Sequence, residues 1–331
     1  MRARAVRFPR AGEIVVEDVA LEPPGPRELR CRAVASLVST GTELACLAGD
    51  FDERSFWAEW VRYPFSPGYS MVSRVEEVGS EVTGVSPGDR VFSFTPHASA
   101  FLVDAAEATV LPPEVDELQA VWSSLAVTTQ WAVRRAGFAF GEVAVVVGLG
   151  LLGQLLVRYL RLAGARRIVA IDRDATRLEL ARAGGADETL AIDAADAVSR
   201  LAGAADVVFE VTGHPAVLAP ASELVRPLGR LVLVGDPPRP SRQTLGPRIV
   251  RDGISIIGVH AGTAADVATP SDPWSVPAML AYLHELMADG RMDLTPLVTR
   301  QLDSDDLPAL YRGLREDRSR ELGIVIRWDA S

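Results

Sequence analysis

The stretch from Glu142 to Asp172 constrains the fold of this chain more than any other part of the sequence. An apolar run at 143–147, rich in β-branched residues, predicts a strand that is buried on both faces. A glycine turn leads from this strand into a helical pattern at 151–163, and a second apolar strand then ends on Asp172. The turn glycines are Gly148, Gly150 and Gly153. This order predicts one βαβ unit of a doubly wound parallel sheet.

Each part of this βαβ unit suits the binding of a dinucleotide. The first glycine permits a tight turn, the second lets the backbone approach a pyrophosphate, and the third lets helix and strand pack closely. The backbone N–H groups of Leu151 and Leu152, at the start of the helix, are candidate phosphate donors. The alternative is that the glycines serve packing alone.

The acid at the end of the second strand bears on the type of cofactor. Asp172 can accept hydrogen bonds from the adenosine ribose and would repel a 2′-phosphate, which favours NAD over NADP. Arg173 lies next to it and works against that preference. Arg177, at the start of the next helical pattern, is a further candidate cofactor contact.

Composition narrows the class of protein. The formal net charge of -10 disfavours nucleic acid or an anionic membrane as partner. All 34 basic residues are arginines, which removes lysine Schiff-base chemistry. Cys31 and Cys46 form no metal-ligand spacing and indicate a reducing compartment. With no signal-peptide pattern and no membrane-spanning apolar run, we expect a cytoplasmic protein that acts on a small molecule.

The 331 residues divide into three regions by pattern. Residues 1–126 hold short alternating segments between glycine and proline turns, which predicts a β-rich domain. Residues 127–261 alternate strand and helix patterns, which predicts a Rossmann-type parallel sheet and an α/β fold. Thr212 and Gly235 follow strands of this sheet and are candidate cofactor contacts, although ordinary loop roles would explain them equally well. Residues 262–331 hold a polar loop, a helix and a final strand.

An aromatic-rich segment at 51–67 interrupts the first region. We select Trp57 and Trp60 within it as candidate substrate contacts. A local hydrophobic cluster is the alternative explanation for these rings.

This order of features resembles the medium-chain dehydrogenase/reductase family over nearly the whole chain. The motifs that carry the resemblance are Gly-Thr-Glu at 41–43, Pro-Gly-Tyr-Ser at 67–70, Glu-Glu-Val-Gly at 76–79, Gly-Asp-Arg-Val at 88–91, the glycine turn and the closing strand. The resemblance implies a GroES-like catalytic domain, a Rossmann domain with Thr129 at the cofactor, and a C-terminal return to the catalytic domain. It also implies a homodimer that pairs through the strand at 255–259. The motif from Ser39 to Glu43 is similar to a zinc-lacking subgroup that contains bacteriochlorophyllide a dehydrogenase.

The resemblance also locates the positions where zinc ligands would fall. Family members with catalytic zinc carry Cys-Gly-Thr-Asp, then Gly-His-Glu, then a third ligand. Here those positions are Thr40, Tyr69 and Leu125, and none offers the thiolate or imidazole that zinc prefers. The four-cysteine lobe of structural zinc is missing as well. We therefore predict no metal, and we assign Thr40 and Leu125 to substrate binding.

Without zinc, side chains must hold the substrate oxygen and move its proton. Thr42 matches the family's proton-relay hydroxyl, and a turn or cap role is its alternative. The phenol of Tyr69 is a candidate donor to a carbonyl oxygen, unless the ring only fills the vacated metal pocket. Glu43 is a candidate base or a partner of Tyr69. His97 is a candidate base near neutral pH, and a structural role is its alternative.

Together these residues predict a zinc-independent dehydrogenase that transfers a hydride between NAD(H) and a secondary alcohol or ketone. An NADPH-dependent enoyl or quinone reductase is the first alternative. A protein that binds NAD(H) without turnover is the second.

Overall fold

The computed structural model describes residues 1–317 and 321–328. Its strands, numbered in chain order, are β1 Arg2–Arg7, β2 Val15–Ala20, β3 Glu28–Val38, β4 Met71–Val78, β5 Arg90–Ser93, β6 Ala100–Asp104, β7 Ala108–Val110, β8 Val143–Val147, β9 Arg167–Asp172, β10 Glu188–Ala191, β11 Ala205–Glu210, β12 Val225–Leu233, β13 Ser255–Gly258, β14 Val298–Asp303 and β15 Gly323–Arg327. Its α-helices are α1 Thr40–Ala48, α2 Phe56–Trp60, α3 Glu117–Ala120, α4 Ser123–Arg135, α5 Leu151–Leu162, α6 Ala175–Ala183, α7 Ala194–Leu201, α8 Leu218–Leu224, α9 Arg248–Arg251, α10 Val276–Ala288 and α11 Leu307–Glu316.

The chain forms two compact units. Unit 1 comprises Met1–Asp50, Phe56–Ser124 and Pro277–Ser331, and unit 2 comprises Phe51–Ser55 and Leu125–Val276.

Unit 1 is built on a sheet with the order β14-β15-β3-β4-β5-β7, in which β6 also pairs with β3. The long strand β3 pairs antiparallel with β15, β4 and β6, so it organises the sheet. Its residues from Ala33 to Val38 are continuously buried, as expected for a strand with apolar neighbours on both faces. Because β15 pairs with β3, the closing strand returns to the first region of the chain.

Unit 2 contains a six-stranded sheet with the order β10-β9-β8-β11-β12-β13. All of its strands are parallel. Counted from β8, this is the order 3-2-1-4-5-6 of the doubly wound dinucleotide-binding fold, with the strand order reversing beside β8. Apolar clusters cover both faces of the sheet. The predicted α/β fold, with a GroES-like unit and a Rossmann-type sheet, is confirmed.

Two loops, residues 51–55 and 262–276, belong to unit 2, although the sequence pattern predicts them in the first and the third region of the chain. The backbone N–H of Asp52 donates to the carbonyl of Pro238, 3.1 Å away, and the Asp52 carboxylate accepts from Ser241 N–H at 2.8 Å. Residues 262–276, predicted within the C-terminal return, belong to unit 2, where Trp131 Nε1 donates to Thr263 Oγ1 at 3.0 Å. Such long-range polar contacts leave no local sequence pattern.

Within residues 1–317 and 321–328, none of the helices has the length and apolar character that crossing a membrane requires.

Candidate active site

Three hydroxyl groups meet in unit 1 around the start of α1. The phenol of Tyr69, in the loop before β4, donates to Ser39 Oγ at 2.6 Å and lies 3.2 Å from Thr42 Oγ1. Ser39 Oγ and Thr42 Oγ1 are 3.3 Å apart. Ser39 is the residue that precedes α1, and Thr42 lies in its first turn. Each hydroxyl can both donate and accept, so this hydroxyl cluster of Ser39, Thr42 and Tyr69 can pass a proton along its members.

The environment of Tyr69 keeps its phenol neutral. Burial raises the pKa of Tyr69 to about 12, while the hydrogen bonds with Ser39 and Thr42 oppose that rise and the nearby charge of Glu43 adds to it. A phenol with this pKa carries its proton throughout the physiological range. Tyr69 is therefore a hydrogen-bond donor in this unit and not a ready base.

The carboxylate of Glu43 lies beneath the cluster and is almost fully enclosed, with 1% of the residue exposed. It accepts from the backbone N–H of Ser39 at 2.7 Å and from the hydroxyl of Tyr311, and it lies 3.2 Å from His97 Nε2. These bonds replace the predicted contact with Tyr69. Because its oxygens are directed at buried donors, we infer that Glu43 supports the cluster and is not itself the base for substrate.

His97 is enclosed in the same way. Its Nδ1 lies 2.8 Å from Ser36 Oγ and its Nε2 faces Glu43. The ring packs on Gly68, where a Cβ atom would come within 2.7 Å of it. Since both ring nitrogens already have protein partners and the residue is 1% exposed, we infer a structural role for His97, the alternative to its role as a base.

The residues at the zinc-ligand positions do not fit zinc. Tyr69 offers a neutral phenol that Ser39 and Thr42 already engage, Thr40 offers a neutral hydroxyl, and Leu125 is a buried hydrocarbon. The nearby thiol of Cys46 has its pKa raised by burial and by the charge of Glu43, which opposes formation of a thiolate ligand. Over the described residues, no cluster of three or more His, Cys, Asp or Glu could hold a metal.

The glycine turn of unit 2 shows which positions are constrained by packing. Gly148 has φ +95°, and a Cβ there would lie 2.6 Å from Thr212 Cγ2. A Cβ on Gly153 would lie 2.0 Å from the carbonyl oxygen of Gly148, so helix and turn are in close contact. A Cβ on Gly150 would meet nothing within 4 Å. Gly150 precedes α5 and no side chain caps this helix. The N–H groups of Leu151 and Leu152 thus begin a helix that can hold a phosphate.

Asp172 ends β9 beside this turn. Its carboxylate accepts from Leu149 N–H at 2.7 Å and from Asp174 N–H at 3.0 Å, so it also shapes the loop. Arg173 is exposed and lies 3.7 Å from Asp193. The backbone of Arg177 bonds to Asp174 and to Gln154, which places Arg177 at the start of α6 near the turn.

A buried acid that the sequence interpretation missed organises the next loop. Glu210, the last residue of β11, accepts from the backbone N–H groups of Thr212 at 2.7 Å and Gly213 at 3.2 Å, and from the Thr212 hydroxyl. Burial raises the pKa of Glu210. Gly235 packs on this loop, since a Cβ there would lie 2.4 Å from Gly213 N. The loop with Thr212 and Gly235 thus adjoins Gly148, and its contact with a cofactor stays a prediction.

Two further predicted contacts differ in their exposure. Thr129 is fully buried, and its hydroxyl donates to the carbonyls of Leu125 and Ala126 within its own helix α4. Its place at the cofactor stays a prediction. Trp57 is 6% exposed and belongs to the core of unit 1, whereas Trp60 is 38% exposed and stacks on Phe56 with a centroid distance of 5.7 Å. Of the two tryptophans, Trp60 has the more exposed ring, and both substrate contacts stay predictions.

Comparison with known proteins defines the class. A family model described as an alcohol dehydrogenase GroES-like domain matches residues 33–116, and one described as a zinc-binding dehydrogenase matches residues 152–274. With the fold above, these matches show that the chain belongs to the zinc-type medium-chain dehydrogenase/reductase superfamily. It is an oxidoreductase of that superfamily, and the prediction of this class is confirmed.

Particular relatives are dehydrogenases of small alcohols. The chain is 27% identical over 336 residues to an erythritol/L-threitol dehydrogenase of Mycolicibacterium smegmatis, covering 86% of this chain and 87% of the relative. It is 26% identical over 310 residues to an L-threonine 3-dehydrogenase of Bacillus velezensis, covering 82% and 85%. The crystal structure of 2R,3R-butanediol dehydrogenase from Bacillus subtilis superposes with a TM-score of 0.80 at 22% identity, covering 98% of this chain and 99% of that one.

Proposed function

We propose that this protein is a zinc-independent, NAD-linked dehydrogenase that interconverts a secondary alcohol and a ketone. The hydroxyl cluster carries the proposal, because one of its members, Tyr69, stands at a position where zinc-dependent members have a metal ligand. The other two ligand positions, Thr40 and Leu125, offer no thiolate or imidazole either. On the motif from Ser39 to Glu43, we place the chain with the zinc-lacking members that resemble bacteriochlorophyllide a dehydrogenase.

The cluster supplies the proton chemistry that zinc would otherwise assist. Bound NAD(H) would supply the hydride chemistry at its nicotinamide ring. In ketone reduction, the neutral phenol of Tyr69 donates a hydrogen bond to the carbonyl oxygen and then its proton to the developing alkoxide. The Ser39 hydroxyl can rotate to donate to Tyr69, and Thr42 can replenish Ser39. Thr42 is partly exposed, so the proton that the reduction consumes can reach it from solvent. Alcohol oxidation reverses these transfers.

We propose the glycine turn, with Gly148, Gly150 and the first residues of α5, as the pyrophosphate site. Open space around Gly150 beside free helix N–H groups fits a phosphate. A carboxylate at Asp172 would bond ribose hydroxyls and repel a 2′-phosphate, so NAD is the proposed cofactor. Arg173, Arg177, Thr212 and Gly235 are retained as further candidate contacts.

The cofactor proposal is tested with Asp172→Asn. We expect the wild-type protein to bind NADH at least about tenfold more tightly than NADPH, because the carboxylate discriminates by charge. Asp172→Asn should reduce this preference, measured by nicotinamide fluorescence. Asp193→Asn, which removes an exposed negative charge nearby, is the matched control and should keep it. Equal preference in both variants would reject Asp172 as the discriminating group.

The proposed substrates are small polyhydroxylated alcohols. The relatives named above act on tetritols, an amino acid alcohol and, for the superposed structure, a butanediol. In this chain the exposed ring of Trp60 and the partly exposed Thr40 are the retained substrate candidates.

The decisive experiment is an activity screen on chelator-treated protein whose metal content is measured. Secondary alcohols, cyclitols and enones are offered with NAD(H) and NADP(H). Metal-free oxidation of alcohols with NAD is the expected result. Activity that is lost with the chelator and restored by zinc would overturn zinc independence. Reduction of enones with NADPH would favour the double-bond reductase, and tight NADH binding without turnover would favour the non-catalytic alternative.

A further inference from the structure

The buried carboxylate of Glu43 is held from several sides. Ser39 N–H donates to Oε1 at 2.7 Å, His97 Nε2 lies 3.2 Å from Oε2, and the Tyr311 hydroxyl donates to Oε2. A buried carboxylate needs such donors, because it has lost its hydration. The Ser39 contact is the one that matters for the reaction, since it fixes the backbone of a member of the hydroxyl cluster.

The direction of the hydrogen bonds can be followed from the far end of the network. Trp328 Nε1 is only a donor, so Ser36 Oγ accepts from it at 3.0 Å. The Ser36 hydroxyl hydrogen is then free to donate to His97 Nδ1, which places the His97 hydrogen on Nε2, facing Glu43. Every group therefore donates towards the carboxylate, and the network has one consistent direction.

We propose that Tyr311 of helix α11 is a positioning residue for the reaction: by donating to Glu43, it fixes the Ser39–Thr42 turn that carries the reactive hydroxyls. This inference rests on the proposed function of the hydroxyl cluster. Tyr311 does not touch substrate, because it is fully buried and its hydroxyl is directed at Glu43.

The packing around Tyr311 indicates that its hydroxyl holds the Ser39–Thr42 turn in place and that the residue does not only occupy space in the core. Its ring packs edge-on against Phe8, with centroids 5.6 Å apart and an interplanar angle of 81°. This packing holds the ring in one orientation, so the hydroxyl points in a fixed direction. Phenylalanine would keep this packing and remove only the donor.

The chain offers a matched control in Tyr63, which also bonds to helix α1 but near the C-terminal end of that helix. The hydroxyl of Tyr63 donates to the carbonyl of Cys46 in α1 at 2.5 Å. Tyr63→Phe and Tyr311→Phe each remove one hydroxyl that bonds to α1. If Tyr311 served stability alone, the two variants would behave alike.

The test compares the two variants by hydrogen exchange and kinetics. We expect Tyr311→Phe to speed amide exchange at 38–44 by about fivefold or more, because Ser39 N–H loses its fixed acceptor, whereas Tyr63→Phe should speed exchange only near 46–50. We expect Tyr311→Phe to lower kcat about tenfold with KM within about twofold, since the turn and not substrate affinity is disturbed. Equal effects of both variants on kcat and exchange would overturn the proposal.

A second variant reports on Glu43 without any need for turnover. Glu43→Gln keeps an acceptor for Ser39 N–H and removes the charge that helps raise the pKa of Tyr69. The ultraviolet titration of Tyr69, identified by difference from Tyr69→Phe, should then move to lower pH. If Tyr69 titrated at the same pH in Glu43→Gln and in the wild-type protein, the proposed role of Glu43 beside the hydroxyl cluster would be overturned. A wild-type protein that lacks turnover on every substrate would reject the proposed function, while exchange and titration would still decide whether Tyr311 and Glu43 hold the turn.

Discussion

At the residue scale, the phenol of Tyr69 carries the proton in the proposed reaction. Tyr69→Phe should lower kcat by about a hundredfold, the usual size of a general acid contribution. NADH affinity should stay within about twofold of the wild-type value, because the glycine turn of unit 2 is unchanged. Steady-state kinetics and nicotinamide fluorescence measure the two quantities.

The hydroxyl of Thr42 is tested in the same way. Thr42→Ser should retain most of the activity, whereas Thr42→Ala should lose it. If Tyr69→Phe and Thr42→Ala each lowered kcat by less than twofold, the hydroxyl cluster would have no part in the mechanism.

A second residue links stability to pH. His284 is buried in α10 with its Nε2 3.0 Å from Ser123 Oγ, and burial lowers the pKa of His284 from 6.5 to about 4. Between these values the unfolded chain binds a proton that the folded chain does not, so stability falls as pH falls from about 6.5 towards 4. From pH 7.5 to pH 5 the loss from this residue is on the order of 2 kcal/mol.

His284→Gln isolates this contribution, because it removes the titrating group and leaves a side chain that can bond Ser123. Its free energy of unfolding in urea should change less between pH 7.5 and pH 5 than that of the wild-type protein. The same pH dependence in both proteins would show that His284 is not the group responsible.

The candidate site residues differ in how far the sequence alone indicates their surroundings. Thr42 and Tyr69 lie in local motifs that predict a site role, whereas the contact of the Ser39 hydroxyl with both of them is visible only in the structure. Glu43 and His97 were found as chemistry-bearing residues, but their burial depends on a partner such as Tyr311, 268 positions away from Glu43. No local pattern can show such an enclosure.

At the element scale, the glycine turn before α5 has one position that we expect to matter for stability and another that we expect to matter for cofactor binding. A methyl group at Gly153 would lie 2.0 Å from the Gly148 carbonyl oxygen, whereas one at Gly150 would meet open space. Gly153→Ala should therefore lower Tm by several degrees, roughly as a loss of 1–3 kcal/mol would. Gly150→Ala should change Tm little and weaken NADH binding about tenfold or more, because the methyl group occupies the proposed phosphate position.

Calorimetry and nicotinamide fluorescence on both variants test this separation. Tight NADH binding by Gly150→Ala would show that the cofactor phosphates do not bind at the turn. An unchanged Tm for Gly153→Ala would show that α5 can shift away from β8 at little cost.

The elements of unit 2 were more predictable than the loops around them. Apolar runs such as β8 are buried on both faces because helices cover a parallel sheet, so burial pattern and strand assignment agree. The loop at 51–55 could not be assigned in this way, since its place in unit 2 depends on backbone bonds of Asp52 to Pro238 and Ser241.

At the scale of the whole molecule, we predict a homodimer that forms through β13. In the described part of unit 2, this strand is at one edge of the sheet, and Ile256 is 37% exposed on it. An uncovered edge strand can pair with a second copy, and a charge on it prevents pairing. Light scattering should give twice the 35.5 kDa of one chain.

Ile256→Asp should shift this mass towards the monomer. Ala191→Asp is the matched control, because it places the same charge on β10 at the opposite edge of the sheet. A monomeric wild-type protein would contradict the predicted homodimer, and equal dissociation by both variants would show that the interface is not at β13.

The assignment of residues 51–55 to unit 2 has a consequence for protein engineering. Chimeras that exchange nucleotide-binding units between relatives are a natural route to a new cofactor preference. In this chain, a graft limited to 125–276 would set a foreign loop against the resident Asp52, which bonds Pro238 and Ser241. The transplanted piece must be discontinuous: residues 51–55 have to travel with it, although they lie between α1 and α2 in the chain.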